Sequence, residues 1–196
     1  MKKIFFIVFL FLNQSQNIFS KEFKLQEAIN GLNSPWSLSF ISNDRVIATE
    51  KSGNLILIDF NFKKIKKIKH NLNILEDGQG GLLEVLYFKN QVFVSYSEDL
   101  KKGYSTTSVA KANFNENELN FQNIFRAEPP INSGYHFGSR LVIKDNLLYI
   151  TAGERGKGMI AQDPLKHPGS IIRVHLDGEI PKDNPKFTGK KDWLPE

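Results

Sequence analysis

From residue 36 onward, short apolar runs alternate with clusters of turn residues, and no long stretch carries the 3.6-residue period of an amphipathic helix. The pattern predicts strands at Trp36–Ile41, Arg45–Glu50, Asn54–Phe60 and Ile65–Lys69. A second group follows at Gly81–Phe88, Gln91–Tyr96, Thr106–Asn113 and Leu119–Arg126, and a third at Arg140–Ile143, Leu148–Ala152 and Ser170–Leu176. Between them stand Ser42-Asn43-Asp44, Lys51-Ser52-Gly53, Lys89-Asn90, Asn115-Glu116-Asn117 and Lys144-Asp145-Asn146, residue types that accept the positive φ of tight turns.

The groups resemble one another. Trp36-Ser-Leu-Ser-Phe, Gly81-Leu-Leu-Glu-Val and Ser139-Arg-Leu-Val-Ile each start a unit, and each is followed by a turn and a strand ending in Thr or Ser. Units of roughly 40–50 residues with about four strands each point to a β-propeller. Strand count alone leaves a β-sandwich open; the repetition favours the propeller. The expected fold is therefore all-β, with about three blades of a six-bladed β-propeller, a truncated ring. Three such units do not close a ring, so apolar faces and strand edges would stay open unless more blades cover them. A fragment of a longer coding sequence is the preferred expectation, and association of two copies the other.

The N-terminus changes the picture next. Met1-Lys2-Lys3 precedes nine apolar residues, Ile4 to Leu12, too few to span a bilayer, so residues 1–20 read as a cleaved signal peptide and 21–196 as a partial propeller domain. A periplasmic or secreted protein is expected, with no membrane association after cleavage. The chain holds no cysteine, so no disulfide framework is available. Losing Lys2 and Lys3 lowers the formal charge of +5 by two. The densest basic segment, Lys63 to Lys69, sets lysines between isoleucines as an exposed outer strand does; no aromatic residues are interleaved for base stacking, so nucleic acid is not an expected partner.

Candidate chemistry gathers at His136-Phe-Gly-Ser-Arg140 and Gly153-Glu-Arg-Gly156. The first lies just before one predicted strand and the second just after the next, which puts His136 and Glu154 at the same end of an antiparallel hairpin. A histidine whose second ring nitrogen is held by a carboxylate can act as a general base near neutral pH. Taken alone, His136 reads as a polar loop residue and Glu154 as a turn carboxylate paired with Arg155. The loop Asp77-Gly-Gln-Gly-Gly81 lacks the Lys-Ser/Thr of a phosphate-binding P-loop. Trp36 reads as a core anchor between blades, and Arg140 as either inward-pointing or paired with a carboxylate. His167, before Pro168-Gly169, suits a pocket or a structural turn equally; His70 and His175 read as solvated. No pair of histidines has i,i+4 or finger spacing, so no metal site is assigned.

Six segments in order carry a resemblance: Gly31-Leu-Asn-Ser-Pro-Trp36, Asp77-Gly-Gln-Gly-Gly-Leu-Leu83 with Val92-Phe-Val-Ser-Tyr-Ser97, His136-Phe-Gly-Ser-Arg-Leu-Val142, Thr151-Ala-Gly-Glu-Arg-Gly156, Ala161-Gln-Asp163 with His167-Pro-Gly-Ser-Ile-Ile-Arg173, and Asp177-Gly-Glu-Ile-Pro-Lys-Asp-Asn-Pro185. Together they resemble the N-terminal half of the soluble pyrroloquinoline-quinone (PQQ)-dependent aldose sugar dehydrogenases, the glucose/sorbosone dehydrogenase family. The resemblance implies an oxidoreductase that oxidises the C1 hydroxyl of an aldose to the lactone. It implies His136 as the general base, Glu154 as its support where the family usually has Asp, and Gln79 and Gln162 at the cofactor and sugar pocket. Ser139 stands where the family usually has glycine. PQQ is the implied cofactor and an aldose the substrate. Calcium is expected in full-length members, with its ligands beyond Glu196, as are the Arg-Asn segment, lysine and arginines that clamp the quinone. The expected partner is a complementary C-terminal half or a second copy. A non-catalytic propeller binding module is the alternative; a metal-dependent lactonase is disfavoured because no acidic or histidine cluster is present.

Overall fold

The structure, a computed structural model, describes residues 23–185; the signal-like segment 1–20 lies outside the described residues. Among them are twelve strands in three sheets. The first sheet runs β1 (Pro35–Phe40), β2 (Arg45–Glu50), β3 (Leu55–Asp59) and β4 (Lys64–His70), each antiparallel to the last. The second takes β5 (Leu82–Phe88), β6 (Gln91–Asp99), β7 (Ser105–Asn113) and β9 (Gln122–Arg126) in that order. The third is β10 (Gly138–Lys144), β11 (Leu147–Ala152) and β12 (Ile171–His175). The sequence pattern therefore finds the strands to within a few residues at most. It misses one break. The run predicted as Leu119–Arg126 is two elements: β8 (Glu118–Leu119) joins β4 of the first sheet in parallel, and β9 edges the second. Between them the backbone of Phe121 is claimed by a side chain, donating to Asn71 Oδ1 at 2.8 Å and accepting from Asn71 Nδ2 at 3.1 Å.

The sheets stack like blades. Strand β5 contacts β1, β2 and β10, so the first strand of each sheet lies innermost. Ile47, Leu55 and Leu57 of the first sheet pack on Leu82, Val92 and Val94 of the second. Phe93 and Val109 then pack on Leu141, Leu148, Ile150 and Ile172 of the third. The other face of the first sheet, Val46, Ala48, Ile56 and Ile58, is covered by Ile29, Leu32 and Phe60. Because β2 and β3 are apolar on both faces, they read in the sequence as continuous runs, as strands buried on both sides do.

Side chains tie the inner strands together. Ser37 donates to Glu84 at 2.9 Å, and Arg140 reaches the other oxygen of that buried carboxylate, so β1, β5 and β10 are joined by one polar chain. Arg140 is thus the carboxylate-paired arginine of the two sequence readings. Trp36 is 40% exposed and, among the described residues, not a core anchor between two blades: it lines a cleft with Ile29, Leu32 and Phe60 on the side of the first sheet remote from the second.

Candidate active site

Three loops meet at one end of the sheets: 77–81 before β5, 131–137 before β10, and 153–157 after β11. They approach too closely for side chains. A Cβ on Gly153 would stand 1.9 Å from the His136 carbonyl oxygen, and one on Gly78 2.4 Å from that of Gly134. Backbone bonds use this closeness: Gln79 N–H donates to Gly134 O at 2.7 Å, Gly153 N–H to Phe137 O at 3.0 Å, and Arg155 N–H to His136 O at 3.3 Å. The glycine-rich sequence around Gln79 is the requirement of that packing, not of a phosphate cradle.

Within this frame His136 adopts φ +49°, a left-handed conformation that is uncommon outside glycine. Its ring Nδ1 contacts Glu154 Oε1, and its backbone N–H donates to Gln79 Oε1 at 2.9 Å. Glu154 Oε1 also accepts from Gly156 N–H at 3.1 Å. An ionised carboxylate can only accept, so Nδ1 carries a hydrogen, and in the neutral ring Nε2 then holds the lone pair. Those bonds, the one from His136 first, hold the Glu154 carboxyl below its ordinary range. The His136 side chain is 52% exposed and Nε2 has no partner among the described residues. The amide nitrogen of Gln79 is equally unengaged. A ring nitrogen able to take a proton and an amide able to donate thus belong to loops that meet at one end of the sheets.

The structure joins His136, Glu154 and Gln79 by hydrogen bonds, and among the described residues Gln162 shares none with them. Gln162 ends a 3₁₀ turn, Gly158–Gln162, is exposed, and bonds to none of the three. His167 is buried, accepts Glu128 N–H on Nδ1 at 2.8 Å and stacks edge-on against Phe125, so it serves the turn. His70 is half-buried and donates from Nε2 to Gly53 O at 2.7 Å rather than being solvated; His175 is exposed. Among the described residues no group of three or more His, Cys, Asp or Glu could hold a metal ion. Arg155 is a residue to which the sequence assigns no site role. It does not pair with Glu154; its guanidinium turns inward and is 2% exposed. Its partners lie 18 to 50 positions away in the chain, so no local signal marks them.

Comparison with known proteins accords with this geometry. The family model for glucose/sorbosone dehydrogenase matches residues 32–196. Aldose sugar dehydrogenase YliI of Escherichia coli is 32% identical over 168 residues, covering 79% of this chain and 44% of that protein. Quinoprotein glucose dehydrogenase B of Acinetobacter calcoaceticus is 27% identical over 213 residues, covering 87% of this chain and 43% of that one. Among solved structures, a glucose dehydrogenase superposes with a TM-score of 0.81 at 31% identity, and the apo form of the soluble E. coli aldose sugar dehydrogenase with 0.81 at 29%. Each covers 87% of this chain and 52% of the other. The chain spans about half the length of the relatives it matches. With the His136 hairpin, the Gln79 loop and the blade order all in place, the chain belongs to the glucose/sorbosone dehydrogenase family.

Proposed function

We propose that His136 is the general base of an aldose-oxidising site whose electron acceptor is PQQ. The observation that carries this reading is the His136–Glu154 contact: one ring nitrogen is held and the other is unengaged and exposed. In that state Nε2 takes the proton of the sugar's C1 hydroxyl. Glu154 fixes the tautomer and offsets the positive charge the ring gains. Gln79 orients His136 through its backbone N–H and presents its amide N–H₂ to an oxygen of the bound molecule. PQQ, when bound, supplies the acceptor for the hydride that leaves C1 as the lactone forms. The residues present fit that partner in kind: an oxygen-rich, planar molecule beside a sugar needs a proton acceptor, an amide donor and an exposed ring, and Tyr135, 61% exposed beside His136, provides the last. Gln162, on the exposed 3₁₀ turn, has its role resting on the family resemblance alone. Calcium is expected in the completed site from residues outside the three sheets.

Export to the periplasm or the exterior is part of the same proposal, resting on Lys2-Lys3 and the run Ile4–Leu12. So is a partner: three further blades, from a longer chain or a second copy, over the open faces of the first and third sheets.

The test is aldose-dependent dye reduction by the protein expressed from its own gene, supplied with PQQ and calcium. Turnover is expected, with His136→Ala lowering kcat by about 10²–10⁴-fold, the usual worth of a positioned base. The three sheets alone are expected to be inactive; a folded protein that has its covering blades and yet neither binds PQQ nor reduces dye overturns the reading and leaves a non-catalytic propeller module.

A further inference from the structure

The guanidinium of Arg155 is buried, and among the described residues no carboxylate stands within ion-pair distance of it. Nε–H donates to Tyr135 O at 2.9 Å, Nη1–H to Ser105 O at 3.0 Å, and Nη2–H to Ser105 Oγ at 2.9 Å and to Ser133 O. Its plane lies over the Phe137 ring, with Cζ 3.6 Å from the ring centroid. Burying a cation against neutral acceptors is costly, and burial pushes the Arg155 pKa down to about 10, with Asp77 acting the other way. The contacts that offset this cost share one geometry. Tyr135 and Phe137 are the residues immediately before and after His136, and Ser105 begins β7, in the neighbouring sheet. Glu154, the residue before Arg155, takes the ring of the same histidine.

We propose that Arg155 is a positioning residue for His136: it grips the chain on both flanks of that histidine and anchors it to β7, so that a ring on a left-handed backbone keeps Nδ1–H on Glu154 and leaves Nε2 unengaged. Glu154 then fixes the ring and Arg155 fixes the backbone that carries it. Lysine cannot substitute, because a single ammonium lacks the planar fork that reaches three carbonyls and a hydroxyl at once. The catalytic consequence rests on the reading of His136 as base; the conformational claim does not.

The experiment is long-range ¹⁵N–¹H correlation of the His136 ring in the whole chain, at a pH where the ring is neutral. The native protein should show the Nδ1–H tautomer. Arg155→Lys, folded by circular dichroism and amide dispersion, should swing His136 toward the Nε2–H tautomer that free histidine favours. Ser105→Ala, which removes one of the four acceptors, should shift it partway. A folded Arg155→Lys that keeps Nδ1–H overturns the proposal. So does failure of both Arg155→Lys and Arg155→Met to fold while Ser105→Ala leaves the tautomer unchanged, since Arg155 then serves the fold at large. Absence of dye reduction in the native protein would remove the base role of His136 and leave the tautomer result standing.

Discussion

Glu154 is acidified by what it accepts: the His136 ring first, then backbone N–H groups including that of Gly156. A carboxylate whose folded pKa is depressed contributes stability in full above its unfolded value. That contribution is lost as pH falls through the lower folded value. The ¹³C carboxyl resonance of Glu154 should therefore titrate below the ordinary glutamate value of about 4.3, and His136→Ala should move its midpoint up. A native midpoint at or above the ordinary range would dismiss the pairing. The Glu154 carboxylate reaches Nδ1 from a loop whose next residue, Arg155, is left-handed (φ +59°).

Strand β10 starts badly by the rules of a regular strand. Gly138 and Ser139 have φ +73° and +75°, and the pairing register with β11 shifts between Gly138 and Leu141. This bulge places His136 and Glu154 at one sheet end, and glycine would serve it best at both positions. Ser139 instead holds a left-handed conformation while 1% exposed, and its Oγ has no hydrogen-bond partner among the described residues. Its carbonyl accepts from Ser95 Oγ at 2.6 Å. Ser139→Gly should stabilise the protein by about 1–2 kcal/mol, from relief of strain and of a buried unsatisfied hydroxyl. The readout is a higher urea midpoint at unchanged m; a lower midpoint would show that the hydroxyl has a hidden role. Elements of this kind are only half legible. The hairpin and its two polar ends can be read from residue order, but the bulge cannot, because it is set by the closeness of Gly153 to the His136 carbonyl.

At the scale of the molecule, three stacked sheets leave two outer faces. On the first sheet Leu38 is 54% and Phe40 60% exposed, beside a cleft of about 400 Å³ lined by Ile29, Leu32, Trp36 and Phe60. On the third, Val142 is 58% and Ile171 70% exposed. Burying a large apolar side chain is worth about 1.5–3 kcal/mol, and each 1.4 kcal/mol is tenfold in affinity. Leu38→Lys with Phe40→Lys should thus weaken association with covering blades by at least about a hundredfold. Sedimentation velocity reads this directly: the native chain should associate and the double variant should not. A native protein that stays a discrete monomer of three sheets at all concentrations would defeat the idea that these faces are covered.

The sequence by itself determined the strands, their grouping into repeating units, and the meeting of His136 and Glu154, because these rest on local period, turn chemistry and short-range hairpin geometry. Tertiary structure decided what depends on partners distant in the chain. Asn71 splits the run 119–126 by taking the backbone of Phe121, fifty positions away. Arg155 carries no mark of burial in the sequence and is buried in the fold, because three of its four acceptors are backbone carbonyls, which no residue pattern distinguishes. Gln79 reaches His136 across 57 positions only because the glycines let the loops close. Side-chain type is written residue by residue, but backbone acceptors become specific only once the sheets have stacked.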